Sequence, residues 1–80
     1  MPTVLLWNGY RFYFFSNEGN EPPHIHVDRA ENSVKFWLGP VSVARNFGFN
    51  QRELRTIQDK VNEERERFLE AWNGYFRDHR

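Results

Sequence analysis

The chain has 80 residues, 11 basic and 11 acidic side chains, and no cysteine. This length predicts a single domain. The net charge of zero argues against binding nucleic acid through bulk charge, because phosphate contacts need an excess of Lys and Arg. It also removes the repulsion that keeps small proteins apart, which favours self-association. The absence of cysteine excludes disulfides, thiolate metal sites and thiol catalysis.

No targeting or membrane segment is evident in the sequence. The first apolar run covers only residues 4–7 and has no basic stretch before it, unlike a signal peptide. No apolar stretch approaches the roughly 20 residues that span a bilayer. We therefore expect a cytoplasmic protein without a membrane partner.

Short apolar or alternating runs dominate the first half of the chain. Asn8-Gly9 is a strong hairpin signal, because both residues tolerate positive φ. Pro22-Pro23 predicts a loop with a stiff exit. The runs predict an antiparallel β-meander of about five short strands, at residues 3–7, 10–16, 24–28, 34–38 and 41–45.

The second half of the chain has the pattern of an amphipathic helix. Asn50 is a predicted N-cap, with Glu53 at the third helical position of a capping box. Apolar residues then recur every three or four positions to the end of the chain. We expect an α+β domain over residues 1–80, with a β-sheet part at 1–49 and one long C-terminal helix at 50–77.

This helix is predicted to outreach the sheet. At 1.5 Å per residue it would be about 39 Å long, whereas a short strand spans about 17–20 Å. Glu64 and Arg65 interrupt its apolar stripe, where we expect a change of packing partner. We therefore predict a homodimer whose interface includes Phe68, Trp72 and Phe76.

Strand alternation assigns the side chains to two faces of the sheet. One face is wholly apolar and should carry the helix. The other mixes rings with basic side chains, which is typical of a contact surface. Its predicted binding residues are Arg11, Tyr13, Phe15, His24, His26, Lys35 and Trp37.

The motif His24-Ile25-His26 is the clearest chemical feature of the sequence. Two imidazoles two residues apart on a strand point to the same side, so both are candidate acid–base catalysts or metal ligands. Asp28 is the predicted carboxylate ligand, with Glu18, Glu21 and Glu31 as alternatives. Such a set suits zinc or another divalent metal. Our expectation for the pair is nevertheless a structural or interface role without a cofactor, because histidines on a half-exposed strand more often make ordinary contacts, and the metal is the alternative. His79, the third histidine, lies in the C-terminal tail.

The residues assembled above carry a family resemblance. The chain resembles the small bacterial proteins grouped as domain of unknown function 4160. The resemblance is carried by Gly9-Tyr10-Arg11-Phe12 and by residues 16–27, which include the motif Glu-Pro-Pro-His-Ile-His-Val. The same pattern includes residues 1–4, 35–38, 44–46 and 48–49, and the helix with Trp72 and Phe76. The resemblance implies a gene beside that of another small protein, similar to toxin–antitoxin pairs, and implies no settled activity.

Two function classes remain after the sequence analysis. The first is a protein-interaction module, one component of a toxin–antitoxin-like pair, that binds through the aromatic–histidine face and the far end of the helix. Its partner would be a second copy or the product of the adjacent gene. The alternative is a small metal- or histidine-dependent enzyme that acts on RNA or a phosphoester through the His-x-His strand.

Overall fold

The computed structural model describes residues 3–78, so that Met1, Pro2, His79 and Arg80 lie outside the described part. Five antiparallel strands form one sheet in chain order, and two helices follow. The α+β meander predicted from the sequence is therefore confirmed. The elements are β1 (Thr3–Trp7), β2 (Tyr10–Tyr13), β3 (His24–Arg29), β4 (Asn32–Leu38), β5 (Val41–Phe47), α1 (Gln51–Glu63) and α2 (Arg65–Asp78).

The first hairpin has the turn that its sequence predicts. Asn8 and Gly9 both have positive φ, at 50° and 83°, as a tight type I′ connection between β1 and β2 requires. Strand β2 is shorter than predicted and ends at Tyr13 instead of residue 16. It ends early because the chain turns at once, with the Glu18 N–H donating to the Phe15 carbonyl.

The apolar face of the sheet lies under the helices, as the alternation predicts. Phe12, Ile25 and Phe36 on three neighbouring strands are completely buried. Phe12 stacks on Phe68 of α2, with ring centres 5.5 Å apart. Helix α1 closes the core through its buried residues Leu54, Ile57 and Val61.

The C-terminal helical segment is two helices, not the one long helix predicted. The break falls at Glu64, within the interruption of the apolar stripe that the sequence shows. Hydrogen bonds still pass across it, from Glu64 N–H to the Lys60 carbonyl and from Phe68 N–H to the Glu64 carbonyl. Arg65 Nε donates to the Leu38 carbonyl at 2.6 Å, which holds the start of α2 against the end of β4. Neither helix in residues 3–78 has the length and apolarity to cross a membrane.

The distal aromatic residues Phe68, Trp72 and Phe76 pack inside the chain itself. Phe68 is completely buried, and Trp72 and Phe76 are 4% and 7% exposed. Trp72 and Phe76 both contact the ring of Phe14, at 5.2 and 5.4 Å between ring centres. Other parts of the same chain therefore already cover these three residues, and a second subunit is not needed to bury them. The homodimer itself stays a prediction.

The beginning of α1 gives a first prediction. Asn50 has extended backbone angles, and its side-chain oxygen accepts from Glu53 N–H at 2.8 Å, which confirms the N-cap. Asn50→Ala should lower the free energy of unfolding by about 0.5–2 kcal/mol, because that N–H loses its acceptor. Urea unfolding of the variant measures this, with Asn50→Asp as the control that keeps an acceptor. A curve for Asn50→Ala that overlays the parent's would contradict the prediction.

Candidate metal centre

The strand register arranges the second face of the sheet in rows. Tyr13 lies opposite His26, His26 opposite Lys35, and Lys35 opposite Arg45, so one row crosses four strands. Because partners in adjacent antiparallel strands point to the same side, these side chains share the face. The neighbouring row pairs His24 with Trp37.

The loop between β2 and β3 carries Glu18 to this face. The Phe15 N–H donates to Glu18 Oε1 at 3.0 Å, and the Glu18 N–H donates back to the Phe15 carbonyl at 3.3 Å. The Glu18 carbonyl accepts from the Glu21 N–H at 3.1 Å. Glu18 is thus held by both its side chain and its backbone, and its side chain is only 14% exposed.

Two further contacts fix the same loop against the rest of the fold. Gly19 lies against Phe76 of α2 so closely that an added Cβ would come within 2.5 Å of the ring. At the other end of the loop, the Pro23 carbonyl accepts from the Leu38 N–H at 3.1 Å. A side chain at residue 19 would push the loop from the helix, so glycine here has a packing reason.

Glu18, His24 and His26 form a cluster of potential metal ligands, and one ligand atom from each lies within 4.8 Å of the others. Glu18 Oε1 is 2.8 Å from His24 Nε2 and 3.1 Å from His26 Nε2. Around one zinc ion with bonds of 2.0–2.2 Å, neighbouring ligand atoms lie about 3–3.5 Å apart. The cluster is therefore close to the spacing of a coordination site.

The surroundings of His24 determine which of its ring nitrogens carries a proton in the neutral ring. Its Nδ1 lies 3.0 Å from the Pro22 carbonyl, which can only accept, so Nδ1 carries the proton. Nε2 is buried and makes no hydrogen bond to any residue in the described range, although Glu18 Oε1 is only 2.8 Å away. That contact is short enough but lacks the alignment of a hydrogen bond. An Nε2 lone pair and a carboxylate oxygen repel each other at this distance, so a shared cation, either a proton or a metal ion, would stabilise the contact.

The protonation states of the cluster also suit a metal. Burial alone would raise the pKa of Glu18, but His24, the Phe15 N–H and His26 outweigh it and lower that pKa. Burial lowers the pKa of His26, and the attraction of Glu18 opposes only part of this effect. Metal ligands must be deprotonated, so the lowered pKa values of Glu18 and His26 favour the forms of these two groups that bind a metal.

Aromatic rings on all sides restrict the two imidazoles. His26 stacks on Tyr13, with ring centres 5.3 Å apart, and meets the edge of Phe15 at 4.9 Å. His24 lies 4.7 Å from the ring of Trp72 on α2. Such packing fixes side-chain orientation, which a preorganised site requires.

The structure places the other predicted site residues differently. Asp28 is not in the cluster: its carboxylate accepts the hydroxyl of Tyr13 at 3.0 Å, and Glu18 takes the position proposed for it. The guanidinium of Arg11 lies 4.3 Å from the ring centre of Tyr13, outside the cluster. Tyr13 is only 5% exposed and His24 is fully buried, so this part of the predicted binding face is closed. The loop across it supplies the cover.

Sequence reasoning named Glu18 only as one alternative and did not place Arg45 on this face. A register shift between Lys35 and Phe36 offsets β5 against β4. Simple alternation along β5 therefore does not predict which of its side chains lie on the same face as the histidines. The sequence does contain a local indication for Glu18, because a turn around Ser16-Asn17 would fold the loop back over the sheet.

The comparisons with known proteins agree with the resemblance seen in the sequence. Residues 9–73 match the family described as domain of unknown function (DUF4160), and the chain belongs to this family. The three clustered residues all lie within the matched segment. Neither the curated proteins nor the solved structures give a match.

The contact between Tyr13 and Asp28 gives a pH prediction. Burial first, and then the carboxylate of Asp28, raise the pKa of Tyr13 to about 12. An unfolded tyrosine has a pKa of about 10. The neutral phenol is therefore favoured by folding, and its contribution to stability is complete below about pH 10 and is lost as the pH rises toward 12.

Urea unfolding between pH 9 and pH 12 measures this loss. Tyr13→Phe should show a shallower decline of stability over that range than the parent, because phenylalanine has no proton to lose. Equal declines in the two proteins would rule out the contribution of Tyr13.

Proposed function

We propose that this protein binds a divalent transition metal, with zinc the best fit, through Glu18, His24 and His26. The observation that carries the proposal is the buried His24 Nε2, which makes no hydrogen bond and faces the carboxylate of Glu18. Two imidazoles with one glutamate are an established zinc ligand set. Ferrous iron accepts the same combination, so it is the second metal to test.

The surroundings of His24 support this proposal. Histidines that bind metals usually donate their other ring N–H to a carbonyl or carboxylate, which fixes the ring and the tautomer. The Pro22 carbonyl has this role for His24. Since Pro22 and Pro23 each have a restricted φ, the sequence before the histidines positions that acceptor.

The side of the cluster away from the core is accessible. Glu18 and His26 line an open cavity of about 460 Å³, whereas His24 is closed in. Three protein ligands beside an accessible position are typical of catalytic zinc centres, whereas structural ones use four protein ligands. When bound, such a metal supplies Lewis acidity to a ligand in the cavity. This supports the metal-dependent alternative over a purely structural cluster.

Zinc titration tests the proposal directly. The chelator-treated parent should bind one zinc per chain by calorimetry, and cobalt in its place should give the absorption of a four- or five-coordinate site. Glu18→Gln and His26→Ala should each weaken zinc binding by more than the roughly 10–100-fold that outer-shell changes produce. Bound zinc should also raise the unfolding temperature of the parent, by mass action on the folded state.

Asp28→Asn is the matched control for zinc binding. It removes an acidic group from the same sheet face, but Asp28 contacts Tyr13 and is not in the cluster. This variant should keep the parent's zinc affinity. Absence of zinc and iron binding in the folded parent, or loss of binding in Asp28→Asn alone, would contradict the proposed site.

A second candidate function is protein interaction, and strand β5 favours it. This strand is at one edge of the sheet and pairs only with β4 among the described residues. Its Val43 and Phe47 are 41% and 58% exposed. Exposed apolar edge strands readily accept another strand, and two-fold pairing joins identical surfaces. We propose a second copy of this chain as the partner.

Sedimentation at high micromolar concentration tests this pairing. The parent should form a dimer, and Val43→Lys should yield monomers, because an inserted charge protects an edge strand. Leu6→Lys is the matched control, since Leu6 is an exposed apolar residue (73%) on β1 at the opposite edge. A monomeric parent, or equal effects of the two changes, would exclude β5 as the interface.

A further inference from the structure

The open cavity beside Glu18 and His26 has features that the proposed metal centre does not use. Its wall includes Lys35 and Arg45 from the row that contains His26, together with Phe47. Lys35 and Arg45 are directly opposite on β4 and β5. Like charges in such a cross-strand pair are destabilising, so their presence needs a reason.

The two cations differ in what they contact. Lys35 Nζ is 2.7 Å from Glu21 Oε1 and 4.5 Å from the centre of the Trp37 ring, so its charge is already balanced. Arg45 has no ion-pair partner among the described side chains, and its guanidinium lies 5.8 Å from the ring centre of Phe47. A guanidinium presents a planar fork that matches phosphate oxygens. Arg45 is therefore the residue of this wall best suited to an anion.

The charge of the cavity depends on the metal. Glu18 and Glu21 oppose Lys35 and Arg45, so the four ionised groups sum to zero. A divalent ion at Glu18 adds two positive charges to the same cavity. An anion in the cavity should then bind more tightly to the metal-loaded protein, and by linkage should tighten metal binding by the same factor.

Phe47 contributes a ring to this wall. It is 58% exposed although it lies next to the cation of Arg45 and opposite Ser33. Flat aromatic groups stack on such rings with about 1–3 kcal/mol per stacked base in nucleic-acid complexes. An exposed ring beside an arginine favours ligands that combine a flat ring with a phosphate.

We propose, on the basis of the metal centre proposed above, that this cavity binds a small phosphate ester of an aromatic group. Arg45 and the metal bind the phosphate, and Phe47 stacks on the ring. This assignment gives the proposed metal site a ligand class, namely aromatic phosphate esters. It assigns new roles to Arg45 and Phe47, which the sequence alone did not place in the site.

Phenyl phosphate and inorganic phosphate are the probes. Each is titrated by calorimetry into the protein that holds stoichiometric zinc. The parent should bind phenyl phosphate at least about fivefold more tightly than inorganic phosphate, from stacking at the lower end of its range. Arg45→Ala should weaken both by about 10–100-fold, from the loss of a charge-assisted contact, while zinc affinity measured without phosphate stays unchanged.

Two further variants separate the roles. Phe47→Ala should bind inorganic phosphate as the parent does but lose the preference for phenyl phosphate. Arg11→Ala is the matched control for charge, because Arg11 is an arginine of the same face that contacts Tyr13 and Thr3 away from the cavity. It should leave both affinities unchanged.

The outcomes distinguish this proposal from the metal centre. Zinc binding without phosphate binding would overturn the anion site and leave the metal centre standing. Absence of zinc binding would overturn the metal centre, whatever the phosphate titration gives. Equal phosphate affinities with and without zinc would overturn the linkage between the two. Equal losses of phosphate affinity in Arg45→Ala and Arg11→Ala would show that phosphate responds to the overall charge of the protein and not to a site at Arg45.

Discussion

The position of the Glu18 carboxylate is the constraint on which the second face of this protein depends. It touches both imidazoles and accepts the Phe15 N–H, so the loop, β3 and the ring cluster meet at one group. A buried carboxylate is stable only when hydrogen bonds and cations compensate for its lost hydration. Moving the loop would separate Glu18 from both imidazoles and dismantle the cluster.

The same loop explains how so short a chain covers one face of its sheet and part of the other. Helices cover one face with aliphatic and aromatic residues, and a loop pinned by Gly19 on Phe76 covers part of the other. A domain of this size usually buries only about 60% of the surface of its unfolded chain. Aromatic rings bury a large area per residue, so a few of them complete the core. They also fix the orientation of His24 and His26.

The helical segment shows that the end of an apolar stripe can be buried within the same chain. Its apolar stripe is real, and Phe68 and Trp72 are buried as the spacing requires. After the break at Glu64, α2 packs on the sheet, and its end reaches Phe14 and His24. Other parts of the same chain therefore bury the end of the stripe, whatever the state of assembly.

The sequence by itself determined the elements with local causes. Positive φ at Asn8-Gly9 made the hairpin, Asn50 capped the helix, and strand alternation separated the apolar face from the histidine face. These features depend on neighbouring residues and so are readable locally. The tertiary structure decided which carboxylate lies beside the histidines, on which face of the sheet Arg45 lies, and that Phe76 is buried. Each depends on how far a loop folds back, on a register shift or on a helix break, and those follow from contacts between residues distant in sequence.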